Sequence, residues 1–391
     1  MDPARLTDLL PESMRRRMEP VESLVGTIAQ SKNKGAVVGM LPSSVRGMLL
    51  RKGRQDEPTL MPSGHNVHFD WAYEPRSSDI AVLYERAKTE QWNGVDLPWE
   101  MPVDPADRST PLFPDEYIAI HDTPVWRKMN ESERDRIRRD VASWTLSQFL
   151  HGEQGALYAS AQVTETVPWL DAKFYAATQV MDEARHVEVF RRYLDDKVGK
   201  LYRINDNLYV IIDALITDPR WDVKFLGMQI MVEGLALGAF GMIYRITGEP
   251  LLRELVRNVI RDEARHVHFG VLALRGHIRN ELSDRERRER EDWAFEVAVL
   301  MRNRFLFHEI YEESFAHTYT RRQWDELIMG SRMMDEFRLS LFARLVPNLR
   351  FIGLLSDRIR PHYEEFGLLR YEGLPSADQL SAEDLLMDPG Q

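Results

Sequence analysis

Apolar residues recur at three- and four-residue intervals through most of this chain, a spacing that is typical of helices with one buried face. We find no region rich in the alternating pattern that indicates strands. Asp218 is expected to cap the helix that begins at Pro219. The pattern predicts an all-α fold, with helices at 78–91, 131–163, 168–198, 208–216, 219–248, 250–282 and 283–317, and a further helical region at 321–356.

Helix-start and helix-stop residues divide the chain into three parts. Capping boxes, Asn130 with Glu133 and Ser283 with Glu286, open two of the long helices. Repeated prolines between 98 and 124 exclude long helices there. We therefore predict one structural domain, made of a loop-rich cover segment at 1–130, a four-helix bundle at 131–285, and additional helices with a loosely packed tail at 286–391, packed on the bundle.

Two predicted helices carry the same five residues. Asp-Glu-Ala-Arg-His occurs at 182–186 and again at 262–266, eighty positions later. A lone glutamate stands thirty residues before each motif glutamate, at Glu153 and at Glu233, and these two are also eighty positions apart. Within each motif the Glu and the His are three residues apart, so they share one helix face.

The thirty-residue separation fits a helical hairpin. Positions 153 and 183 have their midpoint at Pro168, and 233 and 263 have theirs at Gly248, both residues that suit helix ends. Fifteen residues on each side, at about 1.5 Å per residue, place both carboxylates roughly 22 Å from the turn and so at one level. Two such hairpins packed face to face would bring together Glu153, Glu183, His186, Glu233, Glu263 and His266.

These six side chains stand among apolar residues at helical spacing, so the helices would bury them. Four buried glutamates repel one another unless cations compensate them, and an isolated buried carboxylate costs several kcal/mol. A single Glu-x-x-His is ordinarily a surface pair. The duplicated arrangement is instead that of a four-helix bundle with two metal ions, and we predict all six residues as metal ligands.

Composition limits the other functions. A net charge of −11 argues against nucleic-acid binding. The chain has no cysteine, which excludes thiolate ligands and leaves oxygen and nitrogen donors. The N-terminus has no signal-like apolar core, so a cytoplasmic location is expected. Residues 225–244 are long enough to span a membrane. Because a charged residue at the centre of a membrane span is costly, Glu233 favours a helix of the bundle over a transmembrane helix.

The pattern Glu153, Glu183-x-x-His186, Glu233 and Glu263-x-x-His266 resembles the ferritin-like di-iron carboxylate oxygenases over about residues 130–285. The Asp-Glu-x-Arg-His motif is similar to that of bacterial multicomponent monooxygenase catalytic subunits. Residues 262–270 also resemble the p-aminobenzoate N-oxygenases. The resemblance implies a ferritin-like bundle in which these six residues bind two iron ions, with O2 as co-substrate.

The resemblance also implies a role for the charged residues beside the ligands. Asp182 would accept a hydrogen bond from His266, and Asp262 one from His186, which fixes each imidazole. Arg185 and Arg265 would balance the two buried aspartates. The alternative is that these four residues are ordinary ion pairs on the helix surface.

The chain departs from each of the well-known branches at one position. Leu237 replaces the threonine of the monooxygenase subunits, and Phe190 replaces the radical tyrosine of the ribonucleotide reductase small subunits. Val259 stands where the N-oxygenases carry an added histidine ligand. Met228 stands where the ligand-binding oxidases with a Val–Tyr crosslink need a tyrosine. The resemblance therefore favours a less-studied oxygenase branch.

Several residues near the expected centre are candidates for a substrate site. The glycines of the 219–248 helix indicate close helix packing, with space for a substrate as the alternative. Gln179 stands one turn before Glu183 and has a second interpretation, a hydrogen bond to the carboxylates. An apolar pocket for a small, largely apolar organic substrate would be lined by Phe149, Ala156, Gln179, Leu237 and Phe240.

The sequence predicts a non-haem di-iron oxygenase or oxidase that hydroxylates or N-oxygenates a small organic substrate. Because the chain has neither a cysteine cluster nor a dinucleotide fingerprint, an external ferredoxin or flavin reductase would supply electrons. A homodimer is expected, with the helices at 283–317 and 321–356 as candidates for its interface. The alternatives are a ferroxidase or iron-storage protein, a manganese–iron oxidase, and a metal-free bundle.

Overall fold

The structure, a computed structural model, describes residues 11–30, 34–55 and 58–387, and all regular elements within these ranges are helical. The helices before the bundle are α1 (Glu12–Gln30), α2 (Lys34–Ser44, continued by the π-helical turn Val45–Leu49), α3 (Ser78–Thr89) and α4 (Pro124–Lys128). The helix predicted at 78–91 is confirmed. The prediction of a loop-rich segment is wrong for 12–30 and 34–49, which are helical, and Pro42 lies inside α2.

Two helical hairpins and a crossover helix form the bundle, as predicted. Its helices are α5 (Glu131–Thr166), α6 (Leu170–Tyr193, continued by Leu194–Val198), α7 (Asp206–Thr217), α8 (Trp221–Ile246) and α9 (Pro250–Gly276, continued by His277–Glu281). The Asn130–Glu133 capping box opens α5. Asp218 does not cap α8, because Arg220 occupies that position, and Asp218 instead accepts hydrogen bonds from the backbone and side chain of Arg220.

The two hairpin turns lie at the predicted midpoints. Pro168 is central between α5 and α6, and Gly248 between α8 and α9. Gly248 is needed for close approach and not as a left-handed helix cap. Its N–H donates to the carbonyl of Pro111 at 2.9 Å, and a Cβ there would lie 2.9 Å from the ring of the same proline.

A π-helical segment interrupts α8 at Leu226–Val232, and Glu233 begins the α-helical part that follows. Wider turns of this kind insert an extra residue and rotate the following face of the helix, and they are frequent at functional sites. The segment therefore helps to set the direction in which Glu233 points.

The C-terminal helices surround the bundle. They are α10 (Asp284–Arg304), α11 (His308–Ile310, continued by Tyr311–Phe315), α12 (Arg321–Met329), α13 (Arg332–Ile352), α14 (Arg360–Glu365) and α15 (Ala382–Leu386). Single 3-10 turns lie at Lys52–Arg54, Gly94–Asp96, Asp115–Tyr117, Leu369–Tyr371 and Ala377–Gln379.

Of three predictions for this part of the chain, one is confirmed and two are wrong. The helix predicted at 283–317 ends at Arg304, where the chain turns through Phe307 with a left-handed backbone. The helical region predicted at 321–356 is confirmed, and it consists of two helices, with Ser331 capping the second. The tail is packed in part, since Leu385 is buried and the N–H of Ala377 donates to Asn348 at 2.8 Å.

In the described part of the chain, only α8 is long and apolar enough to cross a membrane by length and composition. Its most apolar window is 94% buried inside the fold. Burial of this kind is typical of the core helix of a bundle, and α8 packs between α9 and α13.

Replacing Gly238 by alanine is expected to lower the unfolding free energy by roughly 1–3 kcal/mol, the usual cost of overpacking. A Cβ at Gly238 would lie 2.8 Å from the Cα of Leu341, a backbone atom of α13 that cannot move aside alone. Gly234→Ala is the matched control, because its nearest neighbours would be 3.9 Å away and alanine favours the helix. Chemical denaturation of both variants measures the effect. Equal stability of the two would contradict the close packing of α8 on α13.

Candidate metal centre

Six side chains from the four bundle helices converge in the core, as their spacing predicted. All are buried, and the most exposed, Glu153, is 5% exposed. Their candidate ligand atoms form two groups, each within 4.8 Å, of which the first contains Glu153, Glu183, His186 and Glu263 and the second Glu183, Glu233 and His266. Glu183 belongs to both groups, so it lies between two positions for an ion.

The inward-facing atoms fit a pair of cations. Among the described residues, one oxygen each of Glu183 and Glu233, both oxygens of Glu263, and Nδ1 of His266 are buried without a hydrogen-bond partner. Nδ1 of His186 lies 3.3 Å from carboxylate oxygens of three different glutamates. Buried polar atoms without partners are costly, and ions placed among them would coordinate them all.

The outer nitrogen of each histidine is held by the aspartate of the opposite motif. His186 Nε2 lies 3.0 Å from Asp262 Oδ2, and His266 Nε2 lies 3.2 Å from Asp182 Oδ2. A neutral imidazole that donates from Nε2 keeps a lone pair on Nδ1, which here faces the centre. The pairing expected from the family resemblance is therefore confirmed.

Two arginines balance these aspartates. Arg185 donates to Asp182 at 2.5 Å and to Asp262 at 2.9 Å, and Arg265 donates to Asp262 at 2.5 Å and to Asp182 at 3.4 Å. The side chains of Arg185 and Arg265 are only 6% and 2% exposed. The alternative of surface ion pairs is wrong, because all four residues are buried and bind across two helices.

The charges of the site indicate the charge it needs. The two aspartates and two arginines sum to zero, and the four glutamates, once deprotonated, contribute −4 to the core. Two divalent cations supply +4. Buried charges persist only when paired or bound to metal, so the donor set fits two divalent ions.

Gln179 contacts the centre through its amide. Its Nε2 donates to Glu233 at 2.9 Å and to Glu183 at 3.2 Å, and its Oε1 accepts from Gln229 at 3.2 Å. These contacts leave the prediction that Gln179 lines a substrate pocket untested, and they place its amide on two of the carboxylates. The second interpretation, a hydrogen bond to the ligands, is confirmed.

The other four predicted pocket residues are all buried in the apolar core. The rings of Phe149 and Phe240 have centroids 4.6 Å apart, and Phe190 lies about equally close to both, at 6.0 and 5.8 Å. Ala156 and Leu237 are each 2% exposed. The three rings form an apolar wall, and Ala156 and Leu237 belong to the same buried core.

The segment after α3 contributes three residues that the sequence did not reveal. Trp92 Nε1 donates to Asp262 at 2.7 Å, Gln91 exchanges hydrogen bonds with Asp182 and Arg185, and Glu90 accepts from Arg265. An open hollow of about 560 Å³ reaches Trp92 and Asp262 from the surface. The predicted cover segment thus contacts the site, on its histidine side.

The sequence profile of the p-aminobenzoate N-oxygenase AurF matches residues 75–312, a range that includes Trp92 and all six converging side chains. The match spans more than half of the chain. The chain belongs to this N-oxygenase family. Its bundle is therefore that of the ferritin-like di-iron oxygenases, as the motif resemblance indicated.

Other similarities are weaker. The chain is 25% identical over 179 residues to the ribonucleoside-diphosphate reductase small chain of Ostreid herpesvirus 1, over 41% of this chain and only 30% of the viral protein. Structures of R2-like ligand-binding oxidase variants align with 16–19% identity and TM-scores of 0.40–0.41, covering 66–68% of this chain and 94–96% of theirs. Scores at this level do not establish a shared fold.

Membership in the AurF family makes a dinuclear iron centre the cofactor and O2 the co-substrate. The geometry fits this assignment, with four carboxylates, two imidazoles whose Nδ1 atoms face inward, and inward atoms that have no other partner. Val259 offers no ligand at the position of the family's added histidine, although it is fully buried. The six converging side chains are thus the candidate ligand set.

Burial and mutual repulsion shift the protonation of these groups. Burial raises the pKa of Glu233, and the charges of Glu263 and Glu183 raise it further. Burial also raises the pKa of Glu153, although a hydrogen bond from His186 lowers it in part. Burial would lower the pKa of each imidazole, but hydrogen bonds and charges of the surrounding carboxylates raise it above its usual value.

Metal binding is expected to release protons. The folded, metal-free protein holds protons on groups whose pKa is raised, such as Glu153 and Glu233, and cations must displace them. The contribution of these two glutamates to the free energy of unfolding is fully present below their unfolded pKa and is lost as the pH rises through their folded pKa. Metal affinity changes in the opposite direction and increases roughly tenfold per pH unit for each proton released. Calorimetry with Mn²⁺ in buffers of different ionisation enthalpy counts the protons. The same heat in every buffer would contradict the predicted protonation.

Proposed function

We propose that this protein is a di-iron N-oxygenase that converts a small aromatic amine into its N-hydroxylated product. One observation carries the proposal. The match to the p-aminobenzoate N-oxygenase family covers the segments that bring four glutamates and two histidines into one buried centre. The metal ligands proposed are Glu153, Glu183, His186, Glu233, Glu263 and His266.

Bound iron would supply the two-electron activation of O2 that a protein side chain cannot. The chain's own residues perform three other tasks. Asp182 and Asp262 orient the imidazoles, and Gln179 fixes two carboxylates. The Phe149–Phe240 wall keeps water from the centre and presents an apolar surface to an aromatic ring.

The proposed reaction balances as R–NH2 + O2 + 2 e⁻ + 2 H⁺ → R–NHOH + H2O. One oxygen atom enters the N–O bond, and the other leaves as water. The electrons come from an external ferredoxin or flavin reductase, because a chain without cysteine cannot bind an iron–sulfur cluster through thiolates. A cytoplasmic location, where such reductases operate, belongs to the same proposal.

The test uses the full chain loaded anaerobically with Fe²⁺, reduced chemically, and exposed to labelled O2 with 4-aminobenzoate or aniline. We expect a hydroxylamine with one labelled oxygen on nitrogen, measured by mass spectrometry. A product with the labelled oxygen on a ring carbon would show that the enzyme hydroxylates the ring and does not oxygenate the nitrogen. Oxidation of many iron ions per chain into a ferric mineral, with no organic product, would overturn the oxygenase and favour iron storage.

The identity of the two metals is a separate question within the proposal. Oxygen and nitrogen donors do not distinguish sharply between iron and manganese, so a manganese–iron oxidase has the same ligands. Metal analysis after expression with both ions decides between them. Two irons per chain support the proposal, and one of each selects the mixed centre.

A further inference from the structure

The outer face of α1 is a row of apolar side chains. The row consists of Met14, Met18, Val21, Val25 and Ile28, each between 39% and 54% exposed. The intervals between them are four, three, four and three residues, so all five lie on one narrow face of the helix, the α1 stripe. A continuous row of large apolar side chains at the surface is a candidate for contact with a partner or a membrane.

The inner side of α1 is attached to the fold by polar contacts. Arg15 donates to the carbonyl of Ala316 at 3.0 Å. Glu19 is 2% exposed and accepts a hydrogen bond from Tyr311 at 3.3 Å. The helix also packs on the turn Val45–Leu49. Charged residues of α1 thus hold the helix in place, while five of its six large apolar residues face outward.

The segment after α1 adds further exposed apolar residues, which are Val38, Leu41, Leu49 and Leu50. Residues 14–50 therefore contain nine of the 22 large apolar residues that are exposed within the described ranges. Because α1 packs on the turn that includes Leu49, part of this apolar surface lies beside the α1 stripe.

The first 54 residues are basic, while the rest of the chain is acidic. They contain ten lysines and arginines and five aspartates and glutamates, a net charge of +5, whereas residues 55–391 carry −16. Arg46, Arg51 and Arg54 pair with carboxylates of later helices, which still leaves two more basic than acidic residues. An anionic lipid surface would attract this part of the molecule and repel the remainder, so the charge also sets the orientation.

A lipid surface fits the α1 stripe better than a second helix does. The stripe spans two heptads, and a coiled coil ordinarily needs about three or four. An amphipathic helix on a bilayer buries its apolar face about 5–10 Å into the boundary between headgroups and acyl chains, and its basic residues lie near the anionic headgroups. In α1, Arg16 and Arg17 stand between Met14 and Met18 in the sequence.

We propose that α1 binds the surface of a membrane that contains anionic lipids, with the α1 stripe in the boundary between headgroups and acyl chains. The helix would lie in the plane of the bilayer, so the chain does not span it, and the buried α8 takes no part. This contact goes beyond the proposed N-oxygenation and does not rest on it, since lipid binding needs no turnover.

Sedimentation with lipid vesicles tests the contact, using the full chain loaded with Fe²⁺. The wild type should bind vesicles of phosphatidylcholine mixed with phosphatidylserine, and should bind phosphatidylcholine alone far more weakly, because the basic residues then meet no anionic lipid. Val21→Glu with Val25→Glu should reduce binding by about tenfold or more, since two carboxylates would have to enter the apolar boundary. Val82→Glu with Val95→Glu is the matched control, because these valines are 59% and 58% exposed outside the α1 stripe and the added charge is the same.

Three results would overturn the proposal. The first is a wild type that binds neither kind of vesicle, or both kinds equally. The second is an equal loss of binding in the control variant. The third is a wild type that binds no vesicle and forms an oligomer that Val21→Glu with Val25→Glu dissociates, because a second copy would then cover the α1 stripe.

A fluorescent label tests the position of the helix without adding charge. The chain has no cysteine, so Val21→Cys and Val82→Cys each introduce a single thiol for a probe whose emission rises in apolar surroundings. Vesicles with phosphatidylserine should raise the emission at position 21 and leave that at position 82 unchanged. Vesicle binding with no change at position 21 would place the lipid contact elsewhere and refute the assignment to α1.

Discussion

Glu183→Ala is expected to abolish metal loading and O2 consumption while the helix content stays close to that of the wild type. Glu183 is the glutamate that belongs to both groups of candidate ligand atoms, so its loss weakens both ion positions at once. The remaining three glutamates cannot neutralise two divalent ions. Because the helical packing around it is apolar and continuous, the fold does not depend on this carboxylate.

Metal analysis after anaerobic Fe²⁺ loading measures the metal content. An oxygen electrode measures O2 consumption, and circular dichroism measures the helix content. Glu188→Ala is the matched control, since Glu188 lies five residues further along α6 and is exposed. The control should keep two metals per chain. If Glu183→Ala still bound two metals per chain and consumed O2 at the wild-type rate, Glu183 would not be a metal ligand. The proposed set of six ligands would then be wrong at the residue that the two ion positions share.

The hairpin geometry of the centre could be predicted because helical rise is constant. A separation of thirty residues around Pro168 fixes the relative height of Glu153 and Glu183 without any knowledge of the rest of the fold. The observed turn between Thr166 and Leu170 follows from that arithmetic. The same reasoning holds around Gly248, although the glycine is required by the nearby Pro111 and not by the helix end.

Other parts of the site could not be predicted, because they depend on contacts between distant segments. Trp92 and Gln91 follow α3 in a loop, and only the packing of α3 on α6 brings them to Asp262 and Asp182. The π-helical segment before Glu233 leaves no periodic signal, since nearly every residue of α8 is buried.

The errors in the C-terminal half have a similar cause. No glycine or proline near Arg304 indicates that the helix ends there. The chain turns at Phe307, whose backbone is in the left-handed conformation. Tertiary packing holds that strained residue, which is 7% exposed. Helix propensity alone therefore extends α10 too far.

Asp262→Asn is expected to reduce metal affinity by about 10- to 100-fold, the usual effect of losing a partner of a metal-bound histidine. Asp262 Oδ2 accepts from His186, Trp92 and Arg185, while Oδ1 accepts from Arg265. An asparagine can supply only one such acceptor atom, and its NH2 group must face a donor. His186 then loses the charge that holds its tautomer.

The same substitution should also destabilise the fold, by about 3–5 kcal/mol, because two buried arginines would share one aspartate. Asp195→Asn, which breaks the exposed pair with Arg191, should cost about 0–1 kcal/mol. Adding Arg265→Gln to Asp262→Asn removes the uncompensated charge and should recover stability, but not affinity, because His186 still lacks its partner. Chelator competition with Mn²⁺ and thermal denaturation measure the two effects separately. Recovery of both together would mean that Asp262 acts on the metals only through the stability of the bundle.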